Sequence, residues 1–235
     1  ASMTTSTTRE MKLALAAVLL AVLVVIEARA THGFDLSYYQ GDVSQSSFDC
    51  LKNDGMQFAI FQAQRSNGKY NSYLKHQYDR SVAAGIKYND HYVFPDTNKD
   101  AKSQIKSTIA SMKADGVLSK NMIWVDIENT DYWYSSHSQN IQFLKDFITE
   151  AKSQWSGCGN RHGCIGIYTS SSQWSAITGG TTDSFFANLQ LWYCHYDNNA
   201  SFSDFKAFGP WSKPAMKQYT GTTSKCSTQI DNDCY

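Results

Sequence analysis

The run Trp124-Val125-Asp126-Ile127-Glu128 places two carboxylates two residues apart, in an apolar, β-branched stretch. In a strand, successive side chains face opposite ways. Ile123, Val125 and Ile127 then share one face, and Trp124, Asp126 and Glu128 the other, with the two acidic Cα atoms roughly 6.6 Å apart. Two acids held together in a partly desolvated pocket have their pKa values pushed apart, so one stays protonated as an acid while the other ionises. The plainer alternative is a solvated strand end, or acids neutralised by arginine. Beyond residue 30, however, the chain has Arg65, Arg80 and Arg161 alone to do that. Two more acids close strand-like runs: Asp35 in Gly33-Phe34-Asp35-Leu36-Ser37, and Asp231 in STQID (227–231). Taken singly, each serves as readily as a turn or cap residue.

The elements that must position these acids alternate between two periods. Strand-like runs at 33–37, 56–63, 86–94, 122–128 and 164–170 are separated by helical spacing at 45–53, 70–84, 98–114, 138–155 and 172–177. Five βα units in series predict a parallel sheet with crossover helices. After Ser184 the runs 189–196, 214–220 and 227–231 are strand-like, with no long amphipathic helix between them. The expected fold is α/β: a modified TIM-like barrel of five βα units followed by three strands without long helices, one catalytic domain over 31–235. An open doubly wound sheet is the alternative, and no GxGxxG follows the first strand to support its nucleotide-binding form. Closure sets the last strand beside the first and so brings Asp35 toward Asp231. Asp126 and Glu128 end a barrel strand at its C-terminal side, where such folds place their chemistry.

Composition bounds the function classes. The 235 residues are 42% hydrophobic and 18% charged, with formal net charge +0, which is globular. There is no basic excess for nucleic acid and no acidic run for disorder. Aromatic residues reach 14%, as expected where flat sugar faces are stacked and equally in a β-rich core. Met11-Lys12, the apolar run Leu13–Ile26 and the small-residue site Ala28-x-Ala30 predict a leader over 1–30. Its 14 apolar residues fall short of the ~20 needed to span a membrane, which argues against a stable anchor. Secretion or an endolysosomal location follows. Six cysteines, Cys50, Cys158, Cys164, Cys194, Cys226 and Cys234, then predict three disulfides. Cys158 and Cys164 bracket a short loop and pair locally. Barrel closure favours Cys50–Cys226 with Cys194–Cys234, the competing solution being Cys226–Cys234 with Cys50–Cys194. The sequon Asn199-Ala200-Ser201 is a candidate glycan site.

Across essentially the whole of 31–235 the chain resembles the lysozymes of glycoside hydrolase family 25, the Chalaropsis-type muramidases, and their eukaryotic members in particular. The segments that carry the resemblance are GFDLSYYQG, FAIFQAQRS, WVDIEN, GIYTSSSQW, LWYCHYDNN and KQYTGTTSKCSTQIDND, in that order. It implies a monomeric enzyme without metal or cofactor that hydrolyses the β-1,4 bond between N-acetylmuramic acid and N-acetylglucosamine in bacterial peptidoglycan. It further implies Glu128 as the acid that protonates the leaving oxygen. Asp126 would polarise the 2-acetamido group for attack on the anomeric carbon, while Asp35 and Asp231 shape the site. Tyr168, Trp192, Gln218 and Tyr219 fall at substrate-cleft positions. Strand three, Asp90-His91-Tyr92-Val93-Phe94, offers Tyr92 or His91 to the sugar. Two rivals remain: a chitinase-like glycosidase, whose longer DxxDxDxE signature is missing its earlier acids here, and an inactive carbohydrate-binding lectin on the same barrel.

Overall fold

In the computed structural model, which describes residues 30–159 and 163–235, eight strands close into one barrel in sequence order. The leader expected over 1–30 lies, save Ala30, outside the described residues. Thr31–Tyr235 forms one compact unit. The first five strands are β1 (His32–Leu36), β2 (Phe58–Gln64), β3 (Tyr88–Val93), β4 (Ile123–Asp126) and β5 (Ile165–Thr169). Each is followed by a helix: α1 (Gln45–Asn53), α2 (Leu74–Ala83), α3 (Ala101–Ala114), α4 (His137–Gln154) and α5 (Ser171–Thr178). A single-turn helix, α6 (Ser184–Ala187), precedes β6 (Gln190–Cys194), β7 (Met216–Lys225) and β8 (Thr228–Cys234). Strands β1 to β7 run parallel, and β8 is antiparallel to both β7 and β1. The five βα units and three helix-poor strands expected from the two periods are therefore present.

Local chemistry accounts for the boundaries. Ser44, Asp100, Ser136 and Ser170 each cap a helix by accepting the backbone N–H three residues on, from Ser47, Ser103, Gln139 and Gln173. Helix α2 starts at Leu74 rather than 70, because Asn71 Oδ1 accepts the Tyr73 N–H (2.9 Å) and holds those residues in a turn. Strands β7 and β8 are longer than expected: they form a hairpin whose Cys226 and Ser227 both take positive φ, 51° and 61°. Two left-handed residues in a two-residue turn match the twist of the flanking strands.

Two apolar layers follow from strand alternation. Ile123, Val125 and Ile127 pack outward in the main core under the helices. Trp124 faces inward with Phe58, Ile60, Tyr92, Tyr168, Trp192 and Met216, filling the barrel lumen. Glycine matters at Gly166, where a Cβ would stand 2.4 Å from the Trp124 ring, so only glycine leaves room for that indole. The connection 195–215 lacks a crossover helix and is held instead by Lys217. This lysine is fully buried, with its ammonium 2.7 Å from Asp197 Oδ2 and 2.7 Å from Asp204 Oδ1. Among the described residues no helix is long and apolar enough to cross a membrane.

Disulfides join Cys50 to Cys226, tying the hairpin turn to α1, and Cys158 to Cys164. The third expected bridge is not formed: Cys194 and Cys234 are free. Alternation is the reason. Cys194 follows Trp192 by two and faces the lumen side. Cys234, paired across β8 to Lys217, faces outward with that lysine. The barrel wall separates the two sulfurs. Burial pushes the Cys194 thiol up to about 11 and the Cys234 thiol up to about 12, so both carry little thiolate at neutral pH. Titration with an aromatic disulfide reagent should therefore be slow in the native protein and yield both thiols in denaturant. Recovery of no thiol would establish a third bridge instead.

Candidate active site

The site begins with how the backbone delivers Glu128. Strand β4 ends at Asp126, yet the Ile127 N–H still donates to the Tyr168 carbonyl (2.9 Å), which carries the extended run to Glu128. Asn129 then takes φ 55°, a left-handed conformation that asparagine tolerates better than most residues. Its side chain accepts the Asp131 N–H and the chain turns away. Thr169 Oγ1 donates to the Ile127 carbonyl (2.7 Å) and Trp133 Nε1 to the Glu128 carbonyl (3.0 Å). Glu128 thus sits at a pinned corner on the C-terminal rim of the barrel.

Closure supplies the facing acids. Asp35 in β1 and Asp231 in β8 are directly opposite one another across the antiparallel pair. Gln218 in β7 ties them together: its Nε2 donates to Asp35 Oδ2 (2.6 Å) and to Asp231 Oδ2 (3.4 Å). Its Oε1 accepts from the hydroxyls of Tyr168 (2.6 Å) and Tyr196 (2.9 Å). Two acceptors on one side and two donors on the other fix which way the amide points. Asp126 is 4% exposed, and its Oδ1 is buried without a hydrogen-bond partner.

Among the described residues no ion pair reaches Asp35, Asp126, Glu128 or Asp231. Their proton affinities rise accordingly. Burial, then the charges of Glu128 and Asp35, holds Asp126 well above the usual carboxylate range. Burial and then the Asp231 charge raise Glu128. Burial raises Asp231 to about 6, and burial followed by the Asp231 charge raises Asp35 strongly. Such a cluster keeps protons at mildly acidic to neutral pH while retaining negative charge. It can donate a proton to a leaving oxygen and also favour a cationic transition state.

Of the residues singled out from sequence, the structure gathers Asp35, Asp126, Glu128, Asp231, Tyr168 and Gln218 at one rim. Tyr92 is buried beneath them, and after burial the charges of Asp35, Asp126, Glu128 and Asp231 raise its hydroxyl. Trp192 is not a cleft wall: at 2% exposure it lies in the lumen, its ring centroid 4.5 Å from that of Tyr168 and 5.9 Å from that of Trp124. Tyr219 is not brought to Asp35, Asp126, Glu128 or Asp231; burial, and after it the Cys234 and Asp233 charges, raise its hydroxyl. Gln218 points inward, and at the break in the β7–β8 register that follows it the Tyr219 hydroxyl lies 3.3 Å from His32 Nδ1. His91 is fully buried on the outer face, Nε2 to the Val117 carbonyl (3.0 Å), with burial lowering its pKa to about 4. It packs and does not face the rim.

Three residues at the site were not anticipated there. Tyr196 bonds Gln218 from the β6–β7 connection, where no period marks it. Cys194 shares the inward face with Trp192, which simple alternation signals. Asp233 follows Asp231 by two, the same spacing as Asp126 and Glu128. It is fully buried and accepts the Trp192 Nε1–H (2.9 Å). Outside this site, His195, Asp197 and Asp204 bring ligand atoms within 4.8 Å of one another, but the Lys217 ammonium already bridges the two aspartates.

Comparison with known proteins adds a second line of support. A family described as "Lysozyme-like protein 1" matches residues 27–219. The chain is 38% identical over 190 residues to "Probable GH family 25 lysozyme 2" of Dictyostelium discoideum, covering 80% of this chain and 84% of that protein. It is 33% identical to "Counting factor 50" of the same organism, over 95% of this chain and 72% of that one. Among solved structures, a family GH25 lysozyme from Aspergillus fumigatus superposes with TM-score 0.70 at 23% identity, over 88% of this chain and 93% of that chain. The bacterial lysozyme from Streptomyces coelicolor gives 0.69 at 22%, over 88% and 92%. The two structural likenesses speak for the fold.

Proposed function

The chain belongs to the lysozymes of glycoside hydrolase family 25, and on that premise we propose that it is an N-acetylmuramidase cutting the β-1,4 bond between N-acetylmuramic acid and N-acetylglucosamine in bacterial peptidoglycan. The observation that carries the reading furthest is the acid cluster on the barrel rim, which no cation among the described residues pairs, with Glu128 at its pinned corner. Glu128 is raised by burial and by Asp231, so it holds a proton where most carboxyls have lost theirs. It serves as the general acid toward the glycosidic oxygen. Asp126, with a buried oxygen lacking any partner, takes the substrate's 2-acetamido N–H. That bond orients the acetamido carbonyl for attack on the anomeric carbon as the leaving group departs.

Asp35 and Asp231, joined through Gln218, set the negative field that stabilises charge building at the sugar ring. Tyr168 and Tyr196 lock Gln218 in its orientation, and Tyr92 underlies the site. Trp192 acts by packing beneath Tyr168 rather than by touching sugar. No step in this chemistry calls for a metal or cofactor. The two disulfides and the sequence preceding Thr31 support secretion or delivery to an endolysosomal compartment. Both rivals from sequence are weaker: the acids of a chitinase motif are absent, and a dead lectin has no need of a desolvated acid pair. A suspension of purified bacterial cell walls should lose turbidity in the presence of the secreted protein. Walls that stay intact over the mildly acidic to neutral range, with chitin degraded instead, would reject the reading.

A further inference from the structure

Asp233 is the one acid of this group with no solvent exposure. It stands in β8 two residues after Asp231, on the same inward face, and opposite Gln218 in β7. One of its oxygens, Oδ1, accepts the Trp192 Nε1–H at 2.9 Å. The other, Oδ2, has no donor within reach although it is buried. The Asp35 carboxyl is its diagonal neighbour on the same inward face of the β1–β8 pair, where Gly33 stands opposite Asp233 and Asp35 opposite Asp231. Two ionised carboxylates side by side in a desolvated wall repel, and neither has a hydrogen to give the other. One shared proton relieves that repulsion.

We propose that Asp233 is a neutral carboxylic acid whose Oδ2–H donates to the Asp35 carboxylate, making it a positioning residue that keeps Asp35 ionised and aimed. The choice of donor follows from placement. Asp233 is sealed in the lumen, while Asp35 is 7% exposed and already accepts the Gln218 amide at 2.6 Å. Whichever acid is ionised also receives the shared O–H, so the remaining difference decides: Asp35 has the Gln218 amide at 2.6 Å and some solvent, whereas Asp233 has the Trp192 indole at 2.9 Å and none. Burial first, then the Asp35 and Asp231 charges, holds Asp233 well above the carboxylate range, and its bond to Asp35 pulls the Asp35 affinity down. The charged and titratable groups around it are Asp35 from β1, Asp231 from its own strand, Tyr219 from β7 and the neighbouring Cys234, with Glu128 acting on Asp35 across the lumen. Among the described residues none of these is a cation that would favour an ionised Asp233. A carboxyl kept neutral as a donor is an established way to hold a neighbouring charge in a desolvated site.

The role of Asp35 in turnover rests on the muramidase reading; the location of the proton does not. Asp233→Asn keeps both bonds, an Nδ2–H toward Asp35 and a carbonyl toward Trp192. Cell-wall lysis by that variant should stay within about threefold of wild type with an unmoved pH profile, since bonds and charge are both conserved. Asp233→Val removes the donor at similar volume. Losing a hydrogen bond to a charged group should lower kcat roughly ten- to a hundredfold and displace the pH profile, with KM little changed. An infrared difference spectrum at neutral pH, wild type minus Asp233→Asn, should show one protonated-carboxyl band, set apart from those of Glu128 and Asp126 that both proteins share. A wild type lacking that band would overturn the inference even if no substrate were ever cleaved. So would an Asn variant that folds but shifts the pH profile by a full unit.

Discussion

Glu128→Gln leaves a folded barrel whose cell-wall lysis falls by ~10²–10⁴-fold, the range general acid catalysis supplies. Glutamine keeps the size and one acceptor of the side chain but carries no acidic proton. The backbone at 128 is held by Trp133 Nε1 and at 127 by Thr169 Oγ1, neither of which touches the carboxyl, so the corner survives the substitution. Substrate binding should change little, because the loss falls on the transition state where the leaving oxygen needs its proton. The wild-type profile should fall on its alkaline side as Glu128 loses the proton that burial and Asp231 help it keep. Equal activity in the Gln variant would remove Glu128 from the chemistry.

Asp126→Asn produces the second large effect, and of opposite sign in two measurements. Turnover falls strongly while KM stays close to wild type, because the amide can still meet the sugar but no longer supplies charge to the acetamido group as it attacks. A thiazoline analogue of N-acetylglucosamine should inhibit the wild type and bind the variant more weakly. Inverted anomeric configuration in the product would reject acetamido assistance. Stability moves the other way. The folded-state affinity of Asp126 for its proton exceeds the unfolded value, so the folded chain binds more protons in the interval between them. Stability from this group is therefore present at low pH and is lost as pH rises through that interval. Asparagine has no proton to lose. The variant should melt above the wild type at neutral pH, with the gain shrinking toward about pH 4, the ordinary carboxylate value. A lower melting temperature at neutral pH would mean that Asp126 is paired in a way the cluster does not reveal.

How much of this was legible in the sequence depends on which rule each residue obeys. The barrel was legible because two periods, alternating apolar residues and helical spacing, follow from geometry and survive tertiary context. The facing of Asp126 and Glu128 was legible for the same reason, and the meeting of Asp35 with Asp231 followed from closure alone. The misplaced residues fail by that same alternation, applied one position too loosely. Tyr219 follows an inward Gln218 at a break in the β7–β8 register and turns to His32, and Cys234 follows an inward Asp233 and turns away from Cys194 across the wall. Trp192 does face inward, but depth along the strand decides whether an inward residue lines a cleft or fills the lumen, and no local period encodes depth. The Tyr196–Gln218 bond arises in the β6–β7 connection, held by the buried Lys217 and its two aspartates. Such a loop is specified by contacts distant in sequence, so neither composition nor spacing announces it.

The activity is defined by the bond that is cut and by the residue that cuts it. Peptidoglycan digested with the purified protein, reduced with borohydride and hydrolysed, reports which sugar carries each new reducing end. Reduced muramic acid, rising with time in the wild type and absent with Glu128→Gln, is the expected result. Reduced glucosamine at the new ends, or an unchanged yield from the Gln variant, would contradict it.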